Sequence, residues 1–188
     1  SVGSMMALLG VLLSMMLTEW GFPIFVAIIA CIGLSMCLSL GHGLLITRMN
    51  MQPFIVTLCG LLFYRGLARF ITKDETKGFG TVGGLDFLRY TANGNFLGIP
   101  MPFVLLIVIA AITFVVLHRS VYGRYLFATG RNAEAARYAG INTNRIITLS
   151  YVISGALTAI SGIIFAFYTN SVSPANHGNA YELYGIAA

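Results

Sequence analysis

Residues 22–46 read FPIFVAIIACIGLSMCLSLGHGLLI and contain no Asp, Glu, Lys or Arg. A soluble helix keeps a polar face toward water, and this run has none. At a rise of about 1.5 Å per residue it is long enough to cross roughly 30 Å of hydrocarbon. Three more runs share this character: 53–72, which holds Arg65 and Arg69, then 99–117 and 146–168. Residues 2–17 make a fifth, slightly short run. Backbone N–H and C=O groups find no water in lipid, so spanning segments are helices or closed barrels, and runs this long are helical. The expected fold is therefore all-α, a polytopic transmembrane helix bundle. It has about five spans, the first truncated, and a sixth element starting near Glu182. Composition agrees, at 57% hydrophobic and 9% charged residues. A soluble domain of this length needs far more charge to cover its surface.

The net charge of +5 does not gather into a basic patch on a soluble fold, so no nucleic-acid partner is expected. The basic residues lie between apolar runs, where they act as topology signals. The 118–145 connection carries Arg119, Arg124, Arg131, Arg137 and Arg145 against a lone Glu134. In the 73–98 connection Lys73, Lys77 and Arg89 are offset by Asp74, Glu75 and Asp86. The 18–21 turn holds Glu19, and 47–52 holds Arg48. These biases place 47–52 and 118–145 in the cytoplasm, and 18–21, 73–98 and 169–181 outside. The chain opens without Met or a basic leader and closes on the apolar YELYGIAA, so residues 1–188 read as one transmembrane domain cut from a longer chain. Small residues four apart, Gly33/Cys37/Gly41 and Ser154/Thr158/Gly162/Ala166, are the rows expected to bring helices close.

Catalytic chemistry is poorly supported. His42, His118 and His177 are scattered, and there is neither an HExxH motif nor a suitably spaced carboxylate pair. No GxxxxGK[ST] occurs, so the chain is not expected to hydrolyse ATP itself, and any energy must come from a partner. Cys31, Cys37 and Cys59 sit in apolar stretches without metal spacing, and no metal or cofactor is expected. Arg65 is the ionised group well inside a span, at a cost of about 2.5 kcal/mol or more on insertion scales. Two readings stay open for it: an intramembrane function, or snorkelling past Thr72, roughly 10 Å away along the helix. Arg69, one turn on, reads as interfacial, and His42, between Gly41 and Gly43, as a buried polar contact.

The most hydrophilic run is GRNAEAARYAGIN, residues 130–142. Asn132 suits a helix N-cap, Glu134 complements the first turn, and Arg137 lies one turn on. Gly140 supplies a stop. Ala133, Ala136 and Ala139 are spaced to present a methyl face that fits a partner's groove; the alternative is an ordinary solvated linker helix.

EAARYAG resembles the cytoplasmic EAA-type signature of bacterial ABC importer permeases, and ATGRNAEAARYAGIN is similar to the ribose/xylose-type sugar permeases. SVGSMMAL, PFIVTLCGLLFYRGLARFIT, FLGIPMPF and YELYGIAA resemble further segments of that family in the same order across nearly the whole chain. An Ile-x-Leu-Pro sequence of the maltose type is absent near Ser150, and Tyr184 stands where the ribose-type pattern commonly has Asp. The resemblance implies a transport subunit of the bacterial inner membrane. It would pair with a second permease subunit and work with ABC ATPase subunits and a solute-binding protein. Gly130, Asn132, Ala133, Glu134, Ala135, Ala136, Arg137 and Gly140 would couple to the ATPase, and Glu182 and Tyr184 would belong to a gating segment. The 73–98 loop would face the solute-binding protein. A monosaccharide is the expected cargo. The alternatives are a branched-chain amino-acid ABC permease, a secondary transporter or channel, and a membrane enzyme.

Overall fold

The structure, a computed structural model, describes residues 1–80, 86–96 and 98–187. In chain order come helices α1 (Val2–Thr18), α2 (Ile24–Arg48) and α3 (Pro53–Thr72), then strand β1 (Lys77–Gly78) and helix α4 (Asp86–Asn93). Strands β2 (Asn95–Phe96) and β3 (Ile99–Pro100) lead into helices α5 (Met101–Arg119), α6 (Val121–Arg131), α7 (Ala133–Tyr138) and α8 (Thr143–Thr169). Strand β4 (Ser171–Val172) and helix α9 (Tyr181–Ala187) follow. Helices α2, α3, α5 and α8 are long and apolar enough to cross a membrane, and α1 is a shorter apolar helix. The chain is an all-α polytopic membrane bundle. Proline marks the starts of three spans, at Pro23 before α2, Pro53 opening α3 and Pro100 before α5. Its fixed φ suits the first turn, and no donor is lost there.

The short first run, expected as a truncated span, forms the centre of the bundle. Helix α1 packs against α2, α3 and α8 and buries residues around its whole circumference, Leu8, Leu9, Val11 and Leu13 among them. A helix apolar on every side is stable only where every side is covered. Helix α5 is the opposite case, with no buried residue along its length. An apolar cleft of about 690 Å³ separates its first half from α8, between Phe103 and Leu106 on one wall and Ile160 and Ile164 on the other.

The most extensive helix pairing is α2 with α8. The row that α2 buries is Ala27, Cys31, Ser35, Ser39, Gly43 and Thr47, at strict four-residue spacing. Ser35 Oγ donates to the Gly155 carbonyl at 2.6 Å, and the Thr47 and Thr148 hydroxyls meet at 3.2 Å. The expected row Gly33/Cys37/Gly41 lies on another face: Gly33 and Cys37 are exposed, and nothing approaches Gly33 or Gly41. On α8 the expected row holds for Thr158, Gly162 and Ala166, which are buried, but Ser154 is exposed. Between α2 and α3, the Tyr64 hydroxyl lies 2.9 Å from His42 Nε2, with Gly60 leaving room for the imidazole. His42 is thus the buried polar contact the sequence implies.

At one end of the bundle β1 and β4 pair antiparallel, Lys77 opposite Val172 and Gly78 opposite Ser171. Ser14 Oγ donates to the Gly78 carbonyl at 3.0 Å, and Phe79 stacks on Phe167 with centroids 4.6 Å apart. Lys77 Nζ lies 3.0 Å from Glu19, which holds the lysine above its usual range, first through the hydrogen bond and then through charge. The 73–98 connection therefore carries structure of its own: β1, then α4 packed on α8, then the β2–β3 pair. Residues 81–85 and 97 of it lie outside the described residues.

Candidate functional site

Two places combine unusual geometry with the residues singled out above. The first is the α6–α7 unit at the arginine-rich end. Three turns here are fixed by side-chain caps. Ser120 Oγ accepts from Gly123 N–H at 3.1 Å, Asn132 Oδ1 from Glu134 and Ala135 N–H at 2.9 and 3.0 Å, and Asn142 Oδ1 from Arg145 N–H at 3.1 Å. Each satisfies orphan donors of a helix start. Gly140, at φ +83°, takes the left-handed position that ends α7, and Ile141 N–H reaches back to the Ala136 carbonyl.

The helix that Asn132 caps and Gly140 stops spans Ala133–Tyr138, and Gly130 belongs to the last turn of α6. One expectation is corrected. The methyl face expected from Ala133, Ala136 and Ala139 is divided, because Ala136 turns inward and is 5% exposed. The surface that remains is an open hollow of about 540 Å³. Ala128, Ala135, Ala139, Phe127 and Ile141 form its walls, and Ala136 lies at its floor. Arg124 and Arg131 stand at the same hollow, and Tyr138 nearby is 92% exposed. Of these residue types, aromatic groups and arginine are the ones enriched at protein interfaces. Glu134 and Arg137 are exposed beside it.

The second place is the segment from Val172 to Ala187, which does not return directly into a span. Val172 packs where a side chain on Gly10 would be, and Gly178 meets Gly3 backbone to backbone. The segment thus runs along α1 away from the β1–β4 pair. Thr18 to Gly3 is fifteen residues of helix, roughly 22 Å along its axis, so Gly178 lies near the opposite end of α1 from that pair. Neither Gly3 nor Gly178 has room for a Cβ, and Gly178 is at φ +65°. Ala180, at φ +59°, is also left-handed, which costs a non-glycine residue about 1 kcal/mol.

Arg65 meets this segment. One guanidinium nitrogen, Nη1, donates to the carbonyls of Pro174 and Ala175 at 3.1 Å each and of His177 at 2.8 Å. The side chain ends on irregular backbone within the bundle and does not extend past Thr72. Arg69, by contrast, pairs with Asp74 at 3.2 Å on the surface. Glu182 Oε2 accepts from Gly3 N–H at 3.2 Å, placing a carboxylate at the N-terminal turn of α1. Tyr184 is exposed and lies 6.3 Å, ring to ring, from Tyr181. Glu182 and Tyr184 are therefore on one short helix, with Glu182 turned toward α1 and Tyr184 outward.

The family described as "Branched-chain amino acid transport system / permease component" matches residues 1–188, the whole chain. The chain belongs to this permease family. Among curated relatives, "Fructose import permease protein FruF" of Bifidobacterium longum is 34% identical over all of this chain and 52% of its own length. "Ribose import permease protein RbsC" of Bacillus subtilis is 35% identical over all of this chain and 57% of its own. "Galactofuranose transporter permease protein YtfT" of Escherichia coli is 31% identical over all of this chain and 54% of its own. The permease chain thus spans a little over half the length of these relatives. No solved structure matches it.

Sequence reasoning missed two parts of this permease chain. Helix α6 lies within the undivided 118–145 connection of the sequence reading, although Ser120 as a capping residue and the three-residue spacing of Tyr122 and Tyr125 carried its signal. The carbonyls that receive Arg65 left no signal, because carbonyls are common to all residues. Only the Pro, Asn and Gly of SVSPANHGN marked that stretch as irregular.

Proposed function

We propose that this chain is part of the permease subunit of an ATP-driven, binding-protein-dependent importer of a monosaccharide in the bacterial inner membrane. The observation that carries the reading is the alignment of every residue of the chain with permeases named for ribose, fructose and galactofuranose import. The family description speaks of branched-chain amino acids, but these relatives favour a sugar. In this reading the arginine-rich end, with α6 and α7, lies in the cytoplasm, in accord with the positive-inside rule. A separate ATPase subunit seats in the hollow walled by Phe127, Ala128, Ala135 and Ala139, with Gly130, Asn132, Ala133, Glu134, Ala136, Arg137 and Gly140 shaping or framing it. Helix α7 leads into α8 after four residues, so movement of the docked ATPase passes directly to a span that packs on α1 and α2. The 73–98 connection faces the solute-binding protein, a second permease subunit completes the pathway, and the segment with Glu182 and Tyr184 contributes to its gate.

Ala139→Glu places a charge on the exposed wall of the hollow without disturbing the buried floor. In the full-length complex it is expected to cut solute uptake roughly tenfold or more, as interface hot-spot changes of over 1.4 kcal/mol do, while the permease remains folded. Uptake and ATP hydrolysis are measured together in proteoliposomes. Normal uptake in both Ala139→Glu and a Gly140→Leu variant contradicts the docking assignment.

A further inference from the structure

The backbone between Val172 and Tyr181 is irregular, yet Arg65 and Gly3 fix it within the depth of the bundle. Lipid cannot satisfy irregular backbone, so such a segment persists only where protein buries it or where it borders water. One side of it is accounted for: Pro174, His177 and Gly178 are buried, and Arg65 takes three carbonyls. The other side carries Asn176, Asn179, Tyr181 and Tyr184, all exposed. Two carboxamides at this depth are far too costly against hydrocarbon, where each unsatisfied polar group costs several kcal/mol. That face is therefore wet or covered by further protein, not by lipid.

The same face has the chemistry of a sugar contact. Phe165, Tyr181 and Tyr184 form a ladder of rings, with centroids 5.2 Å and then 6.3 Å apart. Aromatic faces cover the C–H surface of a pyranose or furanose, and amide groups exchange hydrogen bonds with its hydroxyls. Asn176 and Asn179 each offer a donor and an acceptor. Among the described residues no carboxylate joins them on the exposed side, because Glu182 turns to Gly3. A neutral polyol suits such a face better than an ion.

We propose that the outward side of the 172–187 segment, through Asn176, Asn179, Tyr181 and Tyr184, lines the solute pathway and contacts the passing monosaccharide, with Arg65 as the residue that holds it at that depth. This inference rests on the permease reading and adds to it the place where the solute touches the subunit. Contact there is transient, since an importer must release its cargo.

The test uses the full-length complex with Cys31, Cys37, Cys59 and any further cysteine of the complex replaced by Ala, and single cysteines introduced as Asn176→Cys, Asn179→Cys or Tyr184→Cys. Ile112→Cys, on the exposed flank of α5, is the lipid-facing control. A charged, membrane-impermeant methanethiosulfonate is expected to label the three positions about tenfold or more faster than position 112, since the reagent needs water. The transported monosaccharide, delivered by its binding protein during turnover, is expected to slow that labelling. Labelling no faster than at position 112 overturns the wet face, and fast labelling that the sugar leaves unchanged overturns the contact. Arg65→Met is expected to alter the labelling rates while the complex still assembles, with Arg65→Lys restoring them in part. Unaltered rates in Arg65→Met overturn its positioning role. Tyr184→Phe keeps the ring and guards against misfolding: it is expected to change the KM ratio between two transported sugars, and an unchanged ratio counts against the site. The identity of the cargo is read independently by uptake, so a subunit that carries another solute can still show the wet face and lose only the sugar contact.

Discussion

Gly155 is the point where single atoms decide the packing of α2 on α8. A Cβ there would collide with the Ser39 side chain and lie 2.8 Å from the Ser35 carbonyl. Gly155→Leu is therefore expected to lower stability by about 1–3 kcal/mol, the usual cost of overpacking, whereas Gly33→Ala, in open space, should change it by less than about 0.5 kcal/mol. Thermal unfolding in detergent compares the two, and equal midpoints would show that the seam is looser than described. Sequence alone could not separate these glycines. Helix α2 has small residues on two faces, and the neighbours α1 and α8 decide which turns inward. The same limit applies to Ala136: its spacing with Ala133 and Ala139 was legible, but its burial depends on how α7 folds back on α6. Gly178→Ala meets two obstacles at once, a left-handed φ and the Gly3 carbonyl 2.7 Å away. It is expected to displace the 172–187 segment and to raise amide exchange at residues 173–180, and unchanged exchange would contradict the close crossing with α1.

At the scale of elements, α1 and α5 show how apolar runs of similar appearance take different roles. Leu9 in α1 is fully buried, so Leu9→Ala should cost about 2 kcal/mol or more through the cavity it leaves. Leu106 and Ile112 in α5 are exposed, and their replacement by Ala should cost less than about 0.5 kcal/mol in the isolated chain. Denaturation of the chain in detergent tests both, and a large loss from Leu106→Ala would show that α5 closes onto α8. The existence of these helices was legible because length and hydropathy suffice for it. Their order of burial was not, since it follows from which helices surround which. The segment after α8 illustrates the boundary most clearly. Its polar, Pro- and Gly-containing sequence reads as an external loop, and only the contacts of Val172 with Gly10, Gly178 with Gly3 and Arg65 with three carbonyls carry it into the bundle.

For the whole molecule, the two proposed functional regions sit at different depths and are joined by α8. The α6–α7 hollow lies at its N-terminal end, and the 172–187 segment follows its C-terminal end. In the proposed mechanism α8 is the mechanical link between the ATPase seat and the pathway wall. The central claim is that this link serves ATP-driven sugar import. ATP-dependent uptake by the full-length complex with its solute-binding protein, measured in proteoliposomes against a panel of pentoses, hexoses and branched-chain amino acids, tests it most directly. The account predicts accumulation of a monosaccharide that stops without ATP or without the binding protein. Accumulation of a branched-chain amino acid instead, or sugar uptake that proceeds without ATP, would contradict it.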